Sequence, residues 1–165
     1  MAASSARAES QQPKQLAPYD TGAHARKFGI ILGVATAIFL IIANLVYKND
    51  VPLSLRFASH LLIIPVVWYA ATDYAKRLPE GQIFQSEIGY LLKLAGYAAV
   101  TLFALNVLMF MFTGHSFEQF MQEGETFAAV MINSTFLFFE TVVFVMVVAF
   151  ITMQGLKGKS SSPQD

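Results

Sequence analysis

The sequence contains no cysteine among its 165 residues. This absence excludes a disulfide framework, a thiol redox centre and a covalently attached c-type haem. It also excludes the four-helix thiol oxidoreductases that work with quinones, and it leaves the redox compartment open.

Charged side chains are scarce as well. Asp, Glu, Lys and Arg make up 13% of the residues, and 11 basic residues balance 11 acidic ones. A chain without net charge has no global field that would attract nucleic acid or an acidic substrate, so we expect no nucleic-acid partner. Hydrophobic residues, in contrast, make up 55% of the chain, and the mean hydropathy is +0.52. This composition predicts an integral membrane protein, with the lipid bilayer as its surroundings.

Four apolar runs carry this prediction, because about 20 helical residues cross a hydrocarbon core of about 30 Å. The predicted fold class is an all-α integral membrane bundle of four transmembrane helices. The third run is longer than the core requires, so its first turns, with Glu87 and Lys93, are expected in the membrane interface. The predicted spans lie at about residues 28–47, 55–72, 88–112 and 127–153.

The two ends of the chain differ from this domain in composition. Residues 1–25 are rich in Ala, Ser and Gln and predict a disordered cytoplasmic tail. The transmembrane domain is expected at residues 26–157, and residues 158–165 predict a second, flexible cytoplasmic tail.

The distribution of basic residues predicts the orientation. On the side opposite the termini there are only Lys48 and Arg56, and Arg56 is expected to reach outward to the lipid headgroups. Both termini are therefore predicted to be cytoplasmic, in a multi-pass protein of the cell inner membrane. The basic residues on the side of the termini are Arg7, Lys14, Arg26, Lys27, Lys76, Arg77, Lys93, Lys157 and Lys159.

Glu140 lies at the middle of the fourth span. A charged acid at the bilayer centre costs roughly 2.5 kcal/mol or more, so this carboxyl group must face other helices or a wet cavity, stay protonated, or have a function.

Each of the four spans also places a polar side chain in its outer half: Asn44, His60, Asn106 and Asn133. One interpretation is a polar cavity that opens outward and ends at Glu140, with these residues as candidates for binding a proton or an ion and His60 as a partner or relay. The other is that these groups form hydrogen bonds between helices, as polar side chains in membrane bundles commonly do.

The first span carries small residues at every fourth position, Gly29, Gly33 and Ala37. Such a stripe lets another helix backbone approach closely. The neighbour is expected to be internal, with a second copy of the chain as the alternative.

The loop between the last two spans contains three acids, Glu118, Glu123 and Glu125, and no Lys or Arg. Ser116 and Gln119 predict a capping box, which would begin a short helix on the membrane surface. His115 and Glu118 could form half of a metal site, although a single pair is a weak signal, and no metal or other cofactor is expected. No catalytic motif is present, so no enzymatic activity is predicted.

Two segments, KFGIILGVATAIF and VWYAATDYAKRLPEGQIFQSEIGYLLKLAG, are similar to a family of small four-span inner-membrane proteins from Bacteroidetes, a domain of unknown function. The resemblance covers residues 26–157 and implies the same fold and membrane but no known reaction. It carries over no functional residues.

The resulting expectation is a non-enzymatic membrane protein, either an accessory or assembly subunit of a larger membrane complex or a homo-oligomer. The alternative is a small transporter or channel in which Glu140 binds a proton or a cation.

Overall fold

The computed structural model describes residues 20–47, 51–76, 83–119, 121 and 124–160. Over these ranges the chain is helical apart from short connections, and no strand is present. The helices are α1 (Thr21–Tyr47), α2 (Leu53–Ala58), a 3-10 helix (Ser59–Leu62), α3 (Ile63–Ala75), α4 (Ile83–Thr113) and α5 (Phe127–Ser160).

These helices form four segments that are long and apolar enough to cross a membrane, which confirms the predicted all-α four-helix fold. We treat α2, the 3-10 helix and α3 together as the second span. The four segments are Thr21–Tyr47, Leu53–Ala75, Ser86–Thr113 and Phe127–Gly155.

The first helix starts earlier than predicted. Asp20 Oδ1 accepts a hydrogen bond of 3.0 Å from the backbone N–H of Ala23, which caps α1 at Thr21. The prediction of a disordered tail up to residue 25 is therefore wrong for residues 21–25, and α5 likewise remains helical to Ser160. Residues 1–19 and 161–165 lie outside the described residues.

The second span changes its helical geometry midway. Pro65 cannot donate a backbone hydrogen bond and its ring clashes with the carbonyl four residues earlier, which predicts a distortion near Leu61. The 3-10 helix Ser59–Leu62 lies at this place. The distortion is a tightening of the helix, which separates α2, with Arg56, from α3.

The spans surround a common interior. α1 packs chiefly against α4, α4 against α5, and α5 against α3, while α1 also contacts the second span. We call the end of the bundle with residues 114–126 the loop end and the end where α1 begins the tail end. The tail-end core contains residues of all four spans, and the smaller loop-end core comprises Ala37, Leu40, Leu102, Phe117 and Leu137.

The small-residue stripe of α1 lies against α4, as the internal alternative predicts. A Cβ atom on Gly29 would lie 2.7 Å from the carbonyl oxygen of Leu94, and one on Gly33 would lie 2.9 Å from that of Ala98. Ala37 is also buried, at 2% exposure. Because α4 occupies the stripe, a second copy of the chain would have to bind another face.

Gly33→Ala should therefore destabilise the bundle. The added methyl would lie 2.7 Å from Thr101 Cβ, so α1 and α4 must move apart. We expect a loss of about 1–3 kcal/mol in the free energy of unfolding, measured by denaturant unfolding in detergent.

Gly96→Ala is the matched control, because no described atom beyond its chain neighbours and its own helix backbone lies within 4 Å of its Cβ position. Alanine there should raise stability by about 0.5–1 kcal/mol through helix propensity alone. Equal effects of the two substitutions would contradict the close packing of α1 on α4.

Candidate functional site

A cluster of charged side chains lies inside the loop end of the bundle, with Arg56 at its centre. Its Nη1 donates to Glu140 Oε1 over 3.2 Å and its Nη2 donates to Glu140 Oε2 over 2.6 Å. Its Nε donates to both carboxylate oxygens of Glu118, over 3.2 and 3.3 Å. The side chains of Arg56, Glu118 and Glu140 are 8%, 4% and 7% exposed. The three residues therefore form a buried ion cluster that joins α2, the loop and α5.

The planar guanidinium group explains this geometry. It presents several N–H donors in one plane, so it can bind one carboxylate with its two terminal nitrogens and a second with Nε. The predicted placement of Arg56 in the headgroup region is wrong. Two acids inside the bundle bind its guanidinium group, so its charge is compensated without reaching the membrane surface. The rings of Phe57 and Phe136 lie 5.9 and 5.6 Å from its Cζ.

His60 lies beside this ion cluster. Its Nε2 is 3.5 Å from Glu140 Oε1, its Nδ1 is 3.2 Å from the carbonyl oxygen of Phe57, and its ring packs 3.9 Å from that of Phe144. His60 therefore places an imidazole ring against the Glu140 side of the ion cluster.

The three predicted asparagines bind the backbone of the loop. Asn44 Nδ2 donates 2.7 Å to the carbonyl oxygen of Phe117, and Asn106 Oδ1 accepts 3.0 Å from the N–H of the same residue. Asn133 Oδ1 accepts 3.0 Å from the N–H of Met121. Because Arg56 binds Glu118, all four spans bind the loop through a polar side chain.

The loop enters the bundle between two glycines. Gly114 and Gly124 have φ angles of 75° and 110°, a region that side chains other than glycine rarely adopt. Between them the side chain of Phe117, 2% exposed, belongs to the loop-end core. The backbone of Phe117 is thus bound by α1 and α4 while its ring fills an apolar space.

The predicted surface helix of this loop is wrong, and the pair considered as half of a metal site is not formed. Its described residues form no surface helix, because Ser116 Oγ donates to the carbonyl of Glu118 and the asparagines bind the backbone in an irregular shape. His115 and Glu118 do not meet: His115 pairs with Glu125 at the surface, whereas Glu118 points inward to Arg56.

A second polar group, which the sequence analysis missed, lies at the tail end. His24 Nδ1 is 2.7 Å from the hydroxyl of Tyr90, and His24 Nε2 is 3.0 Å from Asp73 Oδ2. The ring of Tyr74 stacks on that of Tyr90, with centroids 4.2 Å apart. Glu87, which the sequence analysis places at the membrane interface, is buried within the bundle at 1% exposure.

A sequence signal exists for part of what was missed. Glu87 and Tyr90 are three residues apart and share a helix face, and the topology brings the start of the first span, with His24, and the end of the second, with Asp73, to the same end of the bundle. No pattern along the chain, however, indicates which loop acid binds Arg56.

Comparisons of the chain with protein-family models, with curated proteins and with solved structures give no match. The interpretation of the site therefore depends on its geometry.

Arg56→Met should destabilise the protein strongly. The substitution leaves Glu118 and Glu140 buried without the guanidinium between them, and removal of one partner from a buried ion pair costs about 3–5 kcal/mol. It should also release the loop. We would measure unfolding in detergent and the reaction of Ser116→Cys, 3% exposed at the native serine, with a water-soluble maleimide.

Glu125→Gln is the control, since its pair with His115 is exposed and such pairs contribute about 0–1 kcal/mol. Combining Arg56→Met with Glu118→Gln and Glu140→Gln should recover most of the lost stability. If Arg56→Met is as stable as Glu125→Gln, or if Ser116→Cys reacts readily in the otherwise unchanged chain, the role of the buried ion cluster in fixing the loop is refuted.

Proposed function

We propose that this chain is a non-enzymatic accessory or assembly subunit of a larger membrane complex. The observation that carries this proposal is the fixation of the loop. Every span binds the segment between Ser116 and Met121, through hydrogen bonds or through the buried ion cluster.

A loop fixed in this way presents a defined surface. His115, Met121 and Glu125 are exposed, and they belong to a loop whose backbone is hydrogen-bonded to the helices. Binding to a pre-formed surface avoids the entropy cost of ordering a loop, which favours recognition by a partner protein. The asparagine side chains inside the bundle are used to bind the loop, and this structural use favours a subunit over a transporter.

The location is part of the proposal. The exposed cations Arg26, Lys27, Lys76 and Lys93 all lie toward the tail end. The positive-inside rule then supports cytoplasmic termini and a loop on the outer side of a bacterial inner membrane.

The combined substitution His115→Ala, Met121→Ser and Glu125→Ala tests the proposed surface. We expect proteins that co-purify with the full chain in mild detergent to be lost, with the thermal unfolding temperature unchanged, because these side chains are exposed. Lys93→Ala, which alters an exposed residue at the tail end, is the control and should retain them. Retention of the same partners by the loop variant would overturn the proposal, and so would purification of the chain with no partner.

The second candidate is a small proton- or cation-coupled transporter that uses Glu140. One observation favours it: His60 Nε2 lies 3.5 Å from Glu140 Oε1 at the edge of the buried ion cluster. An acid and a histidine in contact inside a membrane bundle are groups that proton pathways use.

A liposome experiment separates the two functions. For the subunit we expect purified protein to move neither protons nor a cationic dye, and Glu140→Gln to change nothing in this measurement. Flux that is present in the full chain, lost in Glu140→Gln and retained in Glu125→Gln would establish the transporter instead.

A further inference from the structure

The tail-end polar group connects water to the interior of the bundle. The side chain of Asp73 is 27% exposed and that of His24 is 13% exposed, whereas Tyr90 is 1% exposed. The hydrogen bonds between them, 3.0 and 2.7 Å long, therefore lead from a partly exposed carboxylate to a buried hydroxyl.

Glu87 lies one helical turn from Tyr90, the buried end of this series of hydrogen bonds. It precedes Tyr90 by three residues, so the two side chains share a face of α4, with Cβ atoms about 5–6 Å apart. Glu87 is 1% exposed, and its Oε1 has no hydrogen-bond partner among the described residues.

The surroundings of Glu87 contain no described cation paired with it. At this level of the bundle lie Asp20, just before α1, and His24 of α1. Asp73 and Tyr74 of α3 lie there too, with the exposed Lys76 just after that helix. The antiparallel register set by the hydrogen bond between Asn106 and Ser134 brings Thr152 and Met153 of α5 to the same level. An isolated carboxylate in a low-dielectric interior takes up a proton rather than remaining charged.

We propose that the tail end contains a proton-binding site in which Glu87 holds the proton and Tyr90, His24 and Asp73 exchange it with water. The proposal is independent of the accessory function.

Each group that gives up a proton in this exchange receives one from its neighbour, apart from Glu87, which is the source. As the carboxyl group of Glu87 gives up its proton toward the Tyr90 hydroxyl, directly or through one water, Tyr90 passes its own proton to His24 Nδ1. His24 then passes the proton on Nε2 to Asp73 Oδ2, from which it leaves to water. The reverse sequence reloads Glu87, and the hydrogen bonds of the two His24 ring nitrogens fit both directions.

A purely structural role explains Glu87 less well. A buried carboxyl oxygen without a partner stabilises nothing, and replacement by an apolar residue of similar shape would avoid its desolvation cost. An acid at this position is therefore better explained by its ability to bind and release a proton.

Infrared spectroscopy of the full chain in lipid nanodiscs tests the site. Glu87→Gln should remove one C=O band of a protonated carboxyl group at neutral pH. After transfer to D2O this band should shift, and Tyr90→Phe should slow the shift by about tenfold or more, because it removes the hydroxyl that relays the proton.

Tyr97→Phe, which removes the hydroxyl of a tyrosine that is 39% exposed on the same helix, is the matched control and should leave the exchange rate unchanged. If Glu87→Gln does not fold, Glu87→Asp should displace the band rather than remove it. The proposal is overturned if neither variant alters a protonated carboxyl band, or if Tyr90→Phe and Tyr97→Phe exchange at the same rate.

Discussion

The burial of Arg56 is the constraint on which the loop end of this molecule depends. A guanidinium group keeps its charge inside a membrane bundle, so its environment must supply negative charge and hydrogen-bond acceptors. Glu140 supplies them from α5 and Glu118 supplies them from the loop. Satisfying one cation therefore draws a connecting segment into the bundle and fixes it against all four spans. Such a cluster adds little net stability compared with apolar packing, but it strongly disfavours arrangements in which one member is left alone.

This constraint explains why the polar side chains of the loop end all bind the same segment. The amides of Asn44, Asn106 and Asn133 satisfy backbone groups of an irregular segment that would otherwise lie unpaired in an apolar interior. Irregular backbone at membrane depth is tolerated only where protein groups surround it, and these side chains provide that surrounding. The tail end shows a different arrangement. There His24 connects two spans through single hydrogen bonds, and Glu87 remains buried beside them.

The sequence predicted the four spans well because length and hydropathy alone decide whether a helix can cross a bilayer. It also predicted the α1 stripe as a packing surface, since small residues at every fourth position have one main physical use.

The layer of asparagines and the importance of Glu140 were visible too. The partners were not: Arg56 and Glu118 are 62 residues apart, and Arg56 and Glu140 are 84 apart. Pairing over such distances follows from the packing of the helices, and a position near the end of a span made Arg56 resemble a headgroup anchor. The loop was misjudged for the same reason. Its sequence pattern fits a surface helix, and nothing in that pattern shows that Glu118 binds Arg56 inside the bundle.

The order in which the ion cluster is assembled has a consequence for biosynthesis. A membrane protein emerges from the ribosome from its N-terminus, so the second span is made before either acid that neutralises its arginine. Until the loop and α5 follow, the nascent chain holds a cation in or near lipid with its carboxylates still unmade. The second span therefore reaches its final packing only after the last helix has been made.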